Sequence, residues 1–308
     1  MTQTLRVGDL SRDELRHRLH GAGLSLRSGP LVFEIRSREP EIAENLPRLY
    51  ADTPLGNAAF ADFHVEVRRA RGLRGWLKPQ VEFLIDDRSP FQPLPRPQSF
   101  AMLEWGMNWC VANHCHQYLV IHAAVIERKG FAAILPAPPG SGKSTLCAAL
   151  IHAGWRLCSD ELTVLDPADG TVVALARPVS LKNASIEVIG AFAPQALFGS
   201  EVPDTKKGRV SHLKPPTDSV ENVGTRAKPR WVIFPQWQAG AALEIGAQPK
   251  SHAFIQLAEN AFNYSMLGET GFELLGRVID ASDCLSLRYS RLDEAIAWFN
   301  CLADEAAR

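Results

Sequence analysis

At 308 residues the chain is long enough for one large domain or two ordinary ones, and 46% hydrophobic against 22% charged residues supplies a real core. Its 33 basic and 34 acidic residues leave a formal net charge of −1, so no global field points to nucleic acid or to an anionic membrane.

The chain opens on charge from Arg6 onward and lacks the apolar stretch of a secretion signal. Ser11-Arg12-Asp13-Glu14 reads as a capping box, with the Ser11 hydroxyl and the Glu14 carboxylate reciprocally satisfying backbone N–H groups. A short helix should follow and stop at Gly21 or Gly23. Residues Leu31–Arg36, Phe63–Arg68 and Val81–Ile85 alternate apolar and polar side chains, which predicts a half-exposed antiparallel sheet. Residues 86–99 carry prolines at 90, 93, 95 and 97, and proline has no N–H for a helix or a central strand. The spacing therefore predicts a linker and a boundary between residues 1–95 and 96–308.

Ser99–His116 reads as a helix with Ala101, Trp105, Trp109 and Ala112 near one face. Cys110, His114, Cys115 and His116 contain metal-ligand types, but on a helix they diverge, so a packed helix is the better reading than zinc. Tyr118–Ile126 and Phe131–Leu135 predict two strands around a turn at Glu127–Gly130. Charges at 127–129 also interrupt this apolar region, which excludes a spanning helix of roughly 20 apolar residues. A helix over Ser144–Ala153 should end at Gly154. Further strands are expected at Leu162–Leu165, Val172–Leu175 and Trp231–Phe234. A last amphipathic helix is expected over Arg291–Ala307, with Leu292, Ile296, Phe299 and Leu302 on one side. Six scattered cysteines make no disulfide framework, which fits a soluble protein of a reducing compartment such as the cytoplasm.

The informative stretch is Ala137-Pro138-Pro139-Gly140-Ser141-Gly142-Lys143-Ser144-Thr145, a phosphate-loop pattern in which Ala137 replaces the first glycine. A triphosphate must be held by many short hydrogen bonds. Gly140 and Gly142 let the backbone turn its N–H groups inward, and the following helix adds its positive end. Pro139 to Thr145 would line the phosphates, Lys143 would reach the β- and γ-phosphates, and Ser144 would ligate Mg²⁺ of a bound ATP. The Asn-Lys-x-Asp of GTPases and the Leu-Ser-Gly-Gly-Gln of ABC ATPases are absent from the sequence.

After the loop and its helix come Gly154-Trp155-Arg156-Leu157 and the paired acids Asp160-Glu161, and upstream stands His122-Ala123. In this order the elements resemble HPr serine kinase/phosphorylases, and are most similar to the subgroup called HprK-related kinase A. Arg177–Asn183 and Lys206–Val210 extend that likeness. The resemblance implies an α/β fold: a P-loop kinase core of the HPr kinase/phosphoenolpyruvate carboxykinase-like type, with a smaller N-terminal α+β domain. It also implies Asp160 as general base on an acceptor serine, Glu161 as an aid to the metal, and His122 near the transferring phosphate. The partners it implies are a peptide or small-protein acceptor, a PqqD-like peptide chaperone and further copies of the chain.

The family's Glu-Ile-Arg-Gly signature is absent, and Ser180-Leu181-Lys182-Asn183 stands nearest to its place. Lys182, or Arg209 or Lys206 from a flexible basic segment, is the candidate for its positive charge. Two other readings stay open at this point: a nucleotide-binding switch that transfers nothing, and a small-molecule kinase whose acceptor pocket is shaped by the N-terminal sheet.

Overall fold

The computed structural model describes residues 4–57, 59–72 and 78–308. They form a mixed α/β structure, with four sheets among the described residues. No helix among them is long and apolar enough to cross a membrane.

The first helix, Arg12–His20, starts where the capping box places it. The Glu14 N–H donates to Ser11 Oγ at 3.2 Å, and the Ser11 N–H donates to Glu14 Oε2 at 2.9 Å. A five-stranded sheet follows in the order Leu24–Ser28, Leu31–Ser37, Phe63–Arg69, Gln80–Ile85, Leu94–Pro95. It departs from the antiparallel expectation at one pair, since Leu31–Ser37 and Phe63–Arg69 run parallel. The cause is helix Pro40–Leu49, absent from the sequence reading, which carries the chain back across the sheet. The proline-rich run leads into helix Ser99–His114, which packs on this same sheet. A Cβ at Gly106 would lie 2.2 Å from the Phe83 ring, so only glycine allows that approach. Cys110 and Cys115 are buried, and the His114 ring packs against Phe63 and Trp109.

The larger sheet has the order Glu244–Ala247, Asp283–Tyr289, Lys228–Trp237, Phe131–Pro136, Ala123–Arg128, Arg156–Ser159. Its middle strands are covered on both faces, which is why they read as near-continuous apolar runs. Ala124, Ile126, Ala133 and Leu135 face helices Lys143–His152 and Leu292–Ala306. Ala123, Val125, Ala132 and Ile134 face helices Lys250–Glu259 and Tyr264–Ala281. The hairpin turn falls at Lys129 and Gly130, whose φ values of 56° and 87° give the left-handed pair that suits a two-residue β-turn.

The expected strand Tyr118–Ile126 is two strands in two sheets. Leu119–Ile121 pairs with Thr163–Leu165, and Ala123–Arg128 pairs with Phe131–Pro136. His122 is the switch point, its N–H donating to the Asn260 carbonyl at 2.8 Å. The basic segment after residue 205 is likewise no loose loop. Val202–Thr205 and Gly208–Leu213 form an antiparallel hairpin with Lys206 and Lys207 at its turn.

Candidate active site

Strands Phe131–Pro136, Lys228–Trp237 and Asp283–Tyr289 run parallel, so their carboxyl ends meet at one edge. The segment Ala137–Gly142 crosses that edge and opens helix Lys143–His152. Gly140 and Gly142 both have φ 87°, a left-handed conformation that favours glycine. A Cβ at Gly142 would lie 2.8 Å from Trp237 Cβ and 2.9 Å from the Tyr289 hydroxyl oxygen. At Gly140 it would meet nothing within 4 Å among the described residues, so this side of the loop is open. Ala137 has no positive φ, so the missing first glycine imposes no strain. The Trp237 N–H donates to the Ser141 carbonyl at 2.8 Å and the Tyr289 hydroxyl to the Gly142 carbonyl at 3.3 Å.

The helix starts without a side-chain cap, leaving N–H groups at its first turn aimed out of the loop. Lys143 is only 9% exposed, yet its Nζ has no hydrogen-bond partner among the described residues; the Ser141 hydroxyl is in the same state. The Lys143 N–H donors are free for an anion, and a phosphate group at the start of the helix fits them.

Strand Arg156–Ser159 delivers the two acids. Asp160 is buried, its Oδ2 accepting from the Ser180 N–H at 3.3 Å while Oδ1 has no partner among the described residues. Burial pushes its carboxyl up to about 6, against the pull of Lys143, and the Ser144 hydroxyl stands beside it. Burial also works on Glu161, but Lys182, Lys143, Lys207 and His122 together hold that carboxyl below its usual range. Glu161 Oε2 accepts from Asn108 Nδ2 at 3.1 Å, and Oε1 lies 3.9 Å from Lys182 Nζ. Ser144 is thus beside Asp160, while Glu161 is already engaged on both oxygens. The oxygen donors present suit magnesium, a hard cation that usually takes only one or two carboxylates plus substrate phosphates. Among the described residues no group of three or more His, Cys, Asp or Glu converges to make a metal cage.

His122 joins the same cluster. Burial, reinforced by Lys143, pushes its imidazole down to about 4, so the ring is neutral at pH 7. It offers a hydrogen bond and not a charge. The positive charge comes instead from lysines. Lys182 faces Glu161, and Lys207 Nζ sits 5.6 Å over the Trp105 ring centroid. Burial, then Lys182, lowers the Lys207 ammonium below its ordinary value. Asn183, itself at φ 52°, braces the hairpin turn: its Oδ1 accepts from the Arg209 N–H at 3.1 Å and its Nδ2 donates to the Lys207 carbonyl at 3.3 Å. Arg209 turns away to Glu187 and Glu201, and Lys206 and Lys207 are both exposed at the turn. Of the hairpin's cations, Lys207 is the one whose charge acts on Glu161 and His122.

Behind the acids lies a network whose contacts the sequence did not show. Arg177 Nη2 donates to Glu104 Oε2 at 2.7 Å, Arg177 Nη1 to Asn108 Oδ1 at 2.8 Å, and the Tyr50 hydroxyl to Glu104 Oε1 at 2.6 Å. The Arg177 bond fixes which way the Asn108 amide points, so its NH₂ faces Glu161. Next to it is a polar cavity of about 20 Å³, room for a water molecule. Trp105 Nε1, Asp160 Oδ1, Ser180 Oγ and His212 Nε2 come from its lining and lack partners among the described residues. Ser180 and His212 are direct cross-strand neighbours, which puts both on one face.

No family model and no curated protein matches the chain. Among solved structures, the Hpr(Ser) kinase/phosphatase from Coxiella burnetii is similar at 11% identity and a TM-score of 0.26, over 60% of this chain and 98% of that one. A likeness that slight carries no argument about what this chain does.

Proposed function

We propose that this protein is an ATP- and Mg²⁺-dependent phosphotransferase of the HPr serine kinase-like kind, built on a P-loop core with a smaller N-terminal α+β part. The observation that carries the proposal is the Lys143 ammonium: buried, without a hydrogen-bond partner among the described residues, at an uncapped helix start, and interacting electrostatically with Asp160 and Glu161. Helix starts and glycine loops bind anions generally, but a carboxylate kept basic beside one is an arrangement for proton removal.

Magnesium-bound ATP supplies the transferable phosphoryl group. Lys143 and the N–H groups of Gly140 to Thr145 hold the phosphates. Ser144 and Glu161 would give oxygens to the metal. Asp160 takes the proton of the acceptor hydroxyl at its free Oδ1 as the new O–P bond forms and the bond to ADP breaks. Lys182 and Lys207 place charge where the family pattern has arginine, as point charges without its fork. Neutral His122 donates a hydrogen bond toward the moving group. Asn108, held by Arg177, keeps Glu161 in place. The acceptor best fitting the resemblance is a serine of a peptide or small protein, presented with a PqqD-like chaperone in the cytoplasm.

The test is transfer of label from γ-labelled ATP to serine-containing peptides, alongside Lys143→Ala and Asp160→Asn. Transfer lost in both variants supports the kinase. Tight ATP binding with no transfer to any acceptor makes the protein a nucleotide switch, and transfer to a metabolite makes it a small-molecule kinase.

A further inference from the structure

The acids and the exposed end of the neighbouring strand lie on opposite flanks of the phosphate loop. Strand order puts Arg156–Ser159, and with it Asp160, two places to one side of Phe131–Pro136. Lys228–Trp237 is the adjacent strand on the other side, and it ends at the loop. A triphosphate with its terminal phosphate toward Asp160 therefore directs its nucleoside toward Trp237. Ligands of open α/β sheets lie at the carboxyl ends of parallel strands, where Trp237 stands.

Trp237 is built to hold still there. Its N–H donates to the Ser141 carbonyl at 2.8 Å, its Cβ abuts the place that a Gly142 side chain would fill, and its indole Nε1 donates to the Ser290 carbonyl at 3.1 Å. With backbone, stem and ring nitrogen all engaged, the residue is still 49% exposed. A fixed indole with open π-surface beside a phosphate cradle is a stacking platform, and stacking accepts any base because every base has a π-face. Resting on the assignment of the loop to triphosphate binding, the geometry points to Trp237 as the surface on which the nucleoside base stacks. It makes the site one for nucleoside triphosphates over bare polyphosphate.

The experiment is calorimetric titration of the full chain with Mg²⁺-ATP and, separately, with Mg²⁺ and inorganic tripolyphosphate. Wild type should bind ATP the more tightly. Trp237→Ala should weaken ATP by about fivefold or more and tripolyphosphate by less than about twofold, and Trp237→Phe should recover most of the loss. Trp237→Leu keeps apolar packing on Gly142 without the π-face, and its undisturbed tripolyphosphate binding would show that the loop is intact. Equal weakening of both ligands in Trp237→Leu, or of neither, would overturn the platform, as would equal wild-type affinity for both ligands. Lys143→Met should weaken both ligands together. If it weakens neither, the loop assignment fails, a result distinct from failure of the stack.

Discussion

Arg177 and Glu104 form a buried ion pair, Nη2 to Oε2 2.7 Å, that reaches the candidate catalytic acids through a single amide, that of Asn108. Both side chains are under 7% exposed. Removing one partner strands the other charge in the core, whereas removing both strands no charge and costs only the hydrogen bonds of Tyr50 and Asn108. Arg177→Met should therefore cost about 3–5 kcal/mol in urea unfolding, and Arg177→Met with Glu104→Met should recover part of it. A double variant as unstable as the single one would mean that the pair is not what the arginine supports.

Asp160 gives a pH-dependent test. Folding raises its carboxyl from 3.8 to about 6, chiefly by burial. As pH rises through that window the unfolded chain releases the proton first, so folded stability falls from about pH 4 to about pH 6 and stays reduced above it. The cost at pH 7 is on the order of 3 kcal/mol. Asp160→Asn should raise the melting temperature of the free protein by several degrees at pH 7.5 and leave it nearly unchanged at pH 4. A gain of equal size at both pH values would contradict the burial argument.

The two left-handed glycines should respond differently to a methyl group. Gly140→Ala places it in open space, so only the strained φ acts, about 1–2 kcal/mol. Gly142→Ala suffers the same strain and also drives Trp237 and the Tyr289 hydroxyl from under 3 Å. Its loss on urea unfolding should exceed that of Gly140→Ala by roughly 1–3 kcal/mol. Equal losses would show that the strands do not crowd the loop.

The local devices were legible in the sequence because their physics is local. The Ser11 box, the turn at Lys129-Gly130 and the glycines at 140 and 142 are set by backbone chemistry over a few residues. Pairing direction was not legible. Alternation in Leu31–Ser37 says which side chains are buried but not which way its neighbour runs. The helix that makes the neighbour parallel was masked by Pro40 and Pro47. Pro40 sits in the first turn, where no N–H is needed. The break at His122 was hidden because both halves of the run are apolar and only their partners differ. Of the candidate site, the loop and acids stood out by spacing. Lys207, Trp237 and the Asn108–Arg177 brace did not, since each acquires its role from elements far away in the chain.

The most direct test of the central claim is a crystal structure with Mg²⁺ and a non-hydrolysable ATP analogue. Lys143 Nζ should lie within hydrogen-bond distance of the outer phosphates, with the free oxygen of Asp160 turned to the space just beyond the terminal one. Phosphates bound elsewhere, with Lys143 still unpartnered, would contradict the account.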